Sequence, residues 1–198
     1  AFNEVSDQCL IRPLDVQDRL CAEIDNPEDL KQVSGMLKEV ENRTVYMCFS
    51  ADMLHSGHIA IIRKAARLGR LIIGVLSDEA VISYKRYPLL PYAERKALFE
   101  NIRGVSRVVE QKTLSYKENL EKYHPDYVVH GDDWVSGFQK PVRQEVLDTL
   151  KAYGGTLVEF PYSRDEKYKA LENRARADLS LPDMRRARLR KAIEMKGT

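Results

Sequence analysis

From residue 43 onward, short runs of apolar and β-branched residues alternate with segments whose apolar positions recur every three or four residues. Thr44-Val45-Tyr46-Met47-Cys48-Phe49 predicts a first strand. Ile59, Ile62 and Ala66 then fall at helical spacing, and Gly69 supplies a stop. The run from Leu71 to Leu76 is apolar throughout, as expected of a strand buried on both faces of a parallel sheet. Helical patterns over 78–84 and 92–103 follow, with Pro88 and Pro91 between them. Further strands are predicted at Val105–Val109, Tyr127–His130 and Thr156–Phe160, separated by helices near 116–123 and 141–153. The Gly154-Gly155 pair closes the last of these helices. This β-α-β rhythm predicts an α/β fold, a doubly wound parallel sheet with helices on both faces.

The two ends stand outside the rhythm. Residues 1–42 form a helical extension: one helix is expected at 15–24, and Asn26-Pro27-Glu28-Asp29 starts another that reaches about Val40. The α/β domain covers 43–162, and 163–198 is a helical segment or linker to a further domain. In it Leu181-Pro182-Asp183 opens a basic helix carrying Arg185, Arg186, Arg188, Arg190 and Lys191. Charge follows the same division: residues 1–42 hold four basic against ten acidic residues, and residues 174–198 hold eight against three. The net charge of the whole chain is only +2, and the basic tail has no interleaved aromatic residue. Neither a nucleic acid nor a membrane is therefore expected as a partner. Cys9, Cys21 and Cys48 show no metal-ligand spacing or disulfide framework, and Cys48 lies in an apolar run as a core thiol. No stretch approaches the ~20 apolar residues of a membrane span, so a cytoplasmic protein is expected.

The candidate chemistry sits where the first strand gives way to the first helix. Phe49-Ser50-Ala51-Asp52 leads into His55-Ser56-Gly57-His58. In an open α/β sheet, ligands bind at the carboxyl ends of strands. A helix N-terminus there offers unpaired N–H groups to an anion. Gly57 has no Cβ to keep a phosphate away, and His55 and His58, three apart, can face one phosphoryl group.

His55-Ser56-Gly57-His58 resembles the H-x-G-H signature of the nucleotidyltransferase superfamily, whose fold is Rossmann-like. Asp52 matches the Asp of that family's first-strand loop. Tyr92-Ala93-Glu94-Arg95-Lys96 resembles a later helix start of glycerol-3-phosphate-type cytidylyltransferases, and His130-Gly131-Asp132-Asp133-Trp134 their G-D-D-W turn. The resemblance covers about residues 43–162. It implies that the chain transfers CMP from CTP to a small phosphorylated or phosphonylated acceptor. His55, His58, Lys85 and Arg95 then act in catalysis, with Arg95 as a fork for an anion. Phe49, Ser50, Ala51, Asp52, Gly57, Gly131, Asp132, Asp133 and Trp134 line the nucleotide site. Mg²⁺ is implied as the partner of CTP, with its protein ligands unspecified.

Two departures qualify the resemblance. Phe49 stands where the family often has Gly, which crowds the nucleotide loop. After the last strand, Pro161-Tyr162-Ser163-Arg164-Asp165-Glu166-Lys167-Tyr168-Lys169 lacks the serine/threonine cluster that grips the triphosphate in the family. That leaves room for a non-catalytic nucleotide-binding module. The tail from Leu181 to Glu194 is similar to the segment leading into phosphoenolpyruvate mutases, some of which follow a cytidylyltransferase domain. The expected acceptor is therefore a phosphonate such as 2-hydroxyethylphosphonate, ahead of glycerol 3-phosphate, phosphocholine or phosphoethanolamine. A fused mutase domain is implied as a partner, and a homo-oligomer is left open.

Overall fold

The computed structural model describes residues 21–50, 53–84 and 87–161, together with residues 168, 170, 171, 173 and 174. Two compact units are present, Ala1–Lys38 and Glu39–Thr198. The first contains most of α1 (Pro27–Asn42). The Asn26 carboxamide caps this helix, its Oδ1 accepting from Glu28 N at 2.9 Å and Asp29 N at 3.0 Å. The helices expected at 15–24 and after Pro182 fall largely or wholly outside the described residues.

The second unit is built on five parallel strands: β1 (Thr44–Phe49), β2 (Arg70–Leu76), β3 (Val105–Gln111), β4 (Tyr127–Gly131) and β5 (Thr156–Phe160). Their order is β3-β2-β1-β4-β5. The connections are α2 (Ser56–Ala65), α3 (Asp78–Tyr84) with α4 (Tyr92–Glu100), α5 (Lys117–Tyr123) and α6 (Lys140–Tyr153). The chain winds outward from β1 through β2 to β3, then returns to the other side of β1 for β4 and β5. This is the Rossmann-like, doubly wound α/β fold expected from the β-α-β rhythm.

The period of two along each strand divides the core. Val45, Met47, Leu71, Ile73, Val75 and Val129 pack with Ile62 and Ala65 of α2 and Phe99 of α4. Tyr46, Ile72 and Val128 pack with Tyr116, with Leu120 of α5 and with Val146 and Leu150 of α6. Each fully buried aliphatic side chain stabilises the sandwich by roughly 1.5–3 kcal/mol relative to exposure. Cys48 packs half-buried against this interior, and desolvation pushes its thiol up to about 12.

Boundaries in the second unit depart from expectation by more than one residue at two places. α4 stops at Glu100, not 103, because the Asn101 side chain donates to Ala97 O at 2.8 Å and Gly104 turns the chain with φ +91°. β3 runs past Val109 to Gln111, which pairs with Leu76 and is buried.

Gln111 is stabilised by a polar cluster inside the sheet. The Tyr46 hydroxyl donates to Gln111 Oε1 at 2.5 Å and accepts from Asn119 Nδ2 at 2.8 Å. Asn119 Nδ2 also reaches Glu110 O at 3.0 Å. The tyrosine crosses β2 at Gly74, where a Cβ would lie 1.9 Å from its Oη. Gly74→Ala is thus expected to drive the ring off its partners and destabilise the protein by about 1–3 kcal/mol. A urea unfolding midpoint unchanged from wild type would remove Gly74 from this role.

Candidate active site

β1 lies between β2 and β4 and is the point where the winding reverses, so the crevice beyond its carboxyl end is where this topology binds ligands. Ser50, the first residue past β1, is fixed by Arg95 of α4. The Arg95 guanidinium is fully buried. Its Nη1 donates to Ser50 O at 2.7 Å, its Nε to Leu90 O at 3.0 Å, and its Nη2 to Asp78 Oδ1 at 2.6 Å. The fork expected to face an anion is turned inward, where it holds the start of the loop that leads to the histidines.

His55 is the N-cap of α2. Its extended backbone (φ −142°, ψ 173°) brings Nδ1 to accept from Gly57 N at 3.1 Å. An imidazole Nδ1 stands at the same bond separation from the backbone as an asparagine Oδ1, which lets it do an asparagine's work here. Because Nδ1 accepts, the ring proton of neutral His55 sits on Nε2, leaving that atom as a donor. Gly57 makes room for the ring: a Cβ there would meet His55 Cε1 at 2.9 Å. His58, one turn into the helix, places its ring centroid 3.9 Å from that of His55. The structure thus brings the two histidines and Gly57 together at a helix N-terminus, as the motif spacing implies.

The Phe49 ring is packed among other rings. It stacks on Phe99 at 5.2 Å and meets the His58 ring edge-on at 5.6 Å. The sequence reading passed over one residue that reaches the site. Tyr168 stacks on His55 with centroids 4.3 Å apart and planes 11° apart. Its only sequence signal was its place in the stretch lacking the serine/threonine cluster. Ala51, Asp52 and Lys85 lie outside the described residues, as do Ser163 and Arg164.

The Gly131–Trp134 turn follows β4, with Asp132–Trp134 as one turn of 3₁₀ helix. Asp132 and Asp133 are exposed, whereas Trp134 is fully buried. Its Nε1 donates to Glu159 Oε1 at 2.6 Å, and Arg143 donates to both oxygens of the same carboxylate at 2.8 and 2.7 Å. Trp134 therefore supports the turn from beneath, and its N–H is engaged within the protein. The Arg143 hydrogen bonds hold the Glu159 carboxyl below its ordinary value. The His130 ring stacks on the indole at 3.7 Å. Burial holds His130 below its usual value, against the upward pull of the Gly131 carbonyl, Asp133 and Glu159.

Among the described residues, no three His, Cys, Asp or Glu side chains converge as a metal site, and no helix is long and apolar enough to cross a membrane.

A cytidylyltransferase-like family model matches residues 47–175, well over half of the chain. The chain belongs to that family. Several of its relatives are named cytidylyltransferases. An ethanolamine-phosphate cytidylyltransferase of Arabidopsis thaliana is 37% identical over 95 residues, 45% of this chain and 23% of that protein. A glycerol-3-phosphate cytidylyltransferase of Staphylococcus aureus is 36% identical over 89 residues, 44% of this chain and 67% of that one. The aligned part is thus under a quarter of the plant relative's length and about two thirds of the bacterial one's. A lipopolysaccharide core biosynthesis protein of Thermoplasma volcanium shares the fold, with a TM-score of 0.51 at 21% identity, over 62% of this chain and 98% of that one.

Two expectations follow for the cytidylyltransferase-like domain. Arg95→Met should cost about 3 kcal/mol, since it strands Asp78 and two carbonyls, while breaking the exposed Lys96–Glu100 pair should cost under ~0.5 kcal/mol. Equal urea midpoints for the two variants would refute the clamp. The lowered His130 value means that the unfolded chain binds its proton more readily. The stability His130 contributes is complete above about pH 6.5 and is lost as pH falls through the folded value. The unfolding free energy measured from pH 8 to 5 should drop in wild type, with this component of the drop missing from His130→Gln.

Proposed function

We propose that this domain transfers CMP from CTP to a small phosphonate such as 2-hydroxyethylphosphonate, with release of pyrophosphate. The observation that carries nucleotidyl transfer is the seating of His55 and His58 at the N-terminus of α2, at the mouth of β1, in a chain of the cytidylyltransferase-like family. An anionic acceptor oxygen attacks the α-phosphorus of CTP. A new P–O bond forms, the bond to the bridging oxygen of the β-phosphate breaks, and pyrophosphate leaves with that electron pair. The attacking oxygen is already ionised near neutral pH, so no general base is needed.

Catalysis is then a matter of positioning anions and stabilising the charge that builds on them. His55 donates from Nε2, His58 adds a second donor, and the first N–H groups of α2 complete an anion cradle. Arg95 acts through Ser50, and Ala51 and Asp52, next in the chain, belong to the nucleotide site in this reading. Lys85 bridges nucleotide and acceptor. The Gly131–Asp133 backbone and carboxylates select cytosine from above Trp134. Mg²⁺, arriving with CTP, would supply positive charge to offset that of the phosphates.

The phosphonate reading is supported by the similarity of residues 181–194 to the segment leading into phosphoenolpyruvate mutases. A phosphomonoester acceptor is the second reading, favoured by the names of the relatives, which carry ethanolamine phosphate and glycerol 3-phosphate.

Pyrophosphate release from CTP and Mg²⁺ should be measured with 2-hydroxyethylphosphonate, 2-aminoethylphosphonate, glycerol 3-phosphate, phosphocholine and phosphoethanolamine. A phosphonate should be preferred by ~10–10², the range available from modest pocket differences. A phosphomonoester ahead by tenfold transfers the assignment to the second reading. His58→Ala should lower kcat by ~10²–10³ with stability retained. His55→Ala should lose as much activity and, having lost a helix cap, about 1 kcal/mol of stability as well.

A further inference from the structure

Tyr168 lies beyond β5 and yet touches the centre of the site. Its ring is almost parallel to the His55 imidazole, and its Oη lies 3.4 Å from Ser56 Oγ. The His58 ring approaches the same imidazole at 3.9 Å with 34° between the planes. Two rings this close and this nearly parallel to one imidazole cannot share a face, so His55 is held between them. The series continues inward, since His58 meets the edge of Phe49 and Phe49 lies on the buried Phe99. Five rings thus run in sequence from the surface of the site to the core.

The hydrogen bond from Gly57 N is made at Nδ1 of the His55 ring. A ring on each face restrains the tilt of the imidazole plane about that atom. His58 supplies one of these faces from within α2, and Tyr168 supplies the other from a distant part of the chain.

We propose that Tyr168 is a positioning residue whose ring holds His55 with Nε2 directed at the transferred phosphoryl group. The role belongs to the aromatic face, so phenylalanine can fill it. The catalytic part of this inference rests on the nucleotidyl transfer proposed above, whereas the stacking can be tested without nucleotide.

The imidazole resonances of the four histidines, recorded without nucleotide and assigned with His55→Gln, give the first readout. A ring stacked on His55 shields its protons, so Tyr168→Ala should move the His55 signals downfield and Tyr168→Phe should leave them in place. Steady-state turnover with CTP, Mg²⁺ and the best acceptor gives the second. Tyr168→Ala should lower kcat by about tenfold, the cost of a misdirected donor, with KM for CTP within about twofold. Tyr168→Phe should restore kcat.

His55 signals that do not respond to Tyr168→Ala overturn the stacking. A response with unchanged kcat overturns the positioning role. Failure of Tyr168→Phe to restore kcat while the His55 signals stay in place assigns the effect to the hydroxyl and also overturns it. A wild-type protein with no turnover refutes the nucleotidyl-transfer reading and with it the catalytic role of Tyr168, while the resonances still decide the contact.

Discussion

The buried guanidinium of Arg95 reaches the carbonyl of Ser50, the carbonyl of Leu90 and the carboxylate of Asp78 at once. A cation without access to water is tolerable only when its donors are matched, so these three segments are held in one arrangement or lost together. Asp78 is shared further, its Oδ2 accepting from Tyr92 N at 3.2 Å at the start of α4. The amino ends of α3 and α4 are thereby tied to the residue at which the chain leaves β1. The exit from β1 just ahead of His55 and α2 therefore depends on one buried charge.

The rest of the frame uses the same device at smaller cost. Asp126 joins three strand starts, its carboxylate accepting from Thr44 N at 2.7 Å and its carbonyl from Thr156 N at 2.9 Å. Tyr46, Gln111 and Asn119 tie β1, β3 and α5 across the space left by Gly74. In each case a polar group inside or at the margin of an apolar sandwich sets register, which burial alone, being non-directional, does not. The histidines inherit that rigidity because they sit on a helix terminus and not in a free loop.

Most of the sheet was legible because hydrophobic period and turn chemistry agree. Gly154, at φ +84°, ends α6 where the glycine pair predicted a stop. Gln111 extends a strand beyond its last apolar residue because a tyrosine hydroxyl meets it in the interior. α5 ends where expected, at Tyr123, but its cap is His124 in the left-handed region with φ 41°, a position that glycine usually takes. At the site, His55, Gly57 and His58 meet at the helix start that their spacing implies. Arg95 looked like an anion ligand because sequence does not reveal that a charge is enclosed, and Trp134 looked like part of a base pocket although its indole N–H is bound to Glu159. Tyr168 could not be found at all from local pattern, since its partner is more than a hundred residues away.

Trp134 is the one tryptophan of the chain. It is sealed from water, held at its N–H by a carboxylate and covered by an imidazole. Excited at the red edge of its absorption, where the ten tyrosines contribute little, its emission reports on the floor of the turn between β4 and α6 without any introduced label.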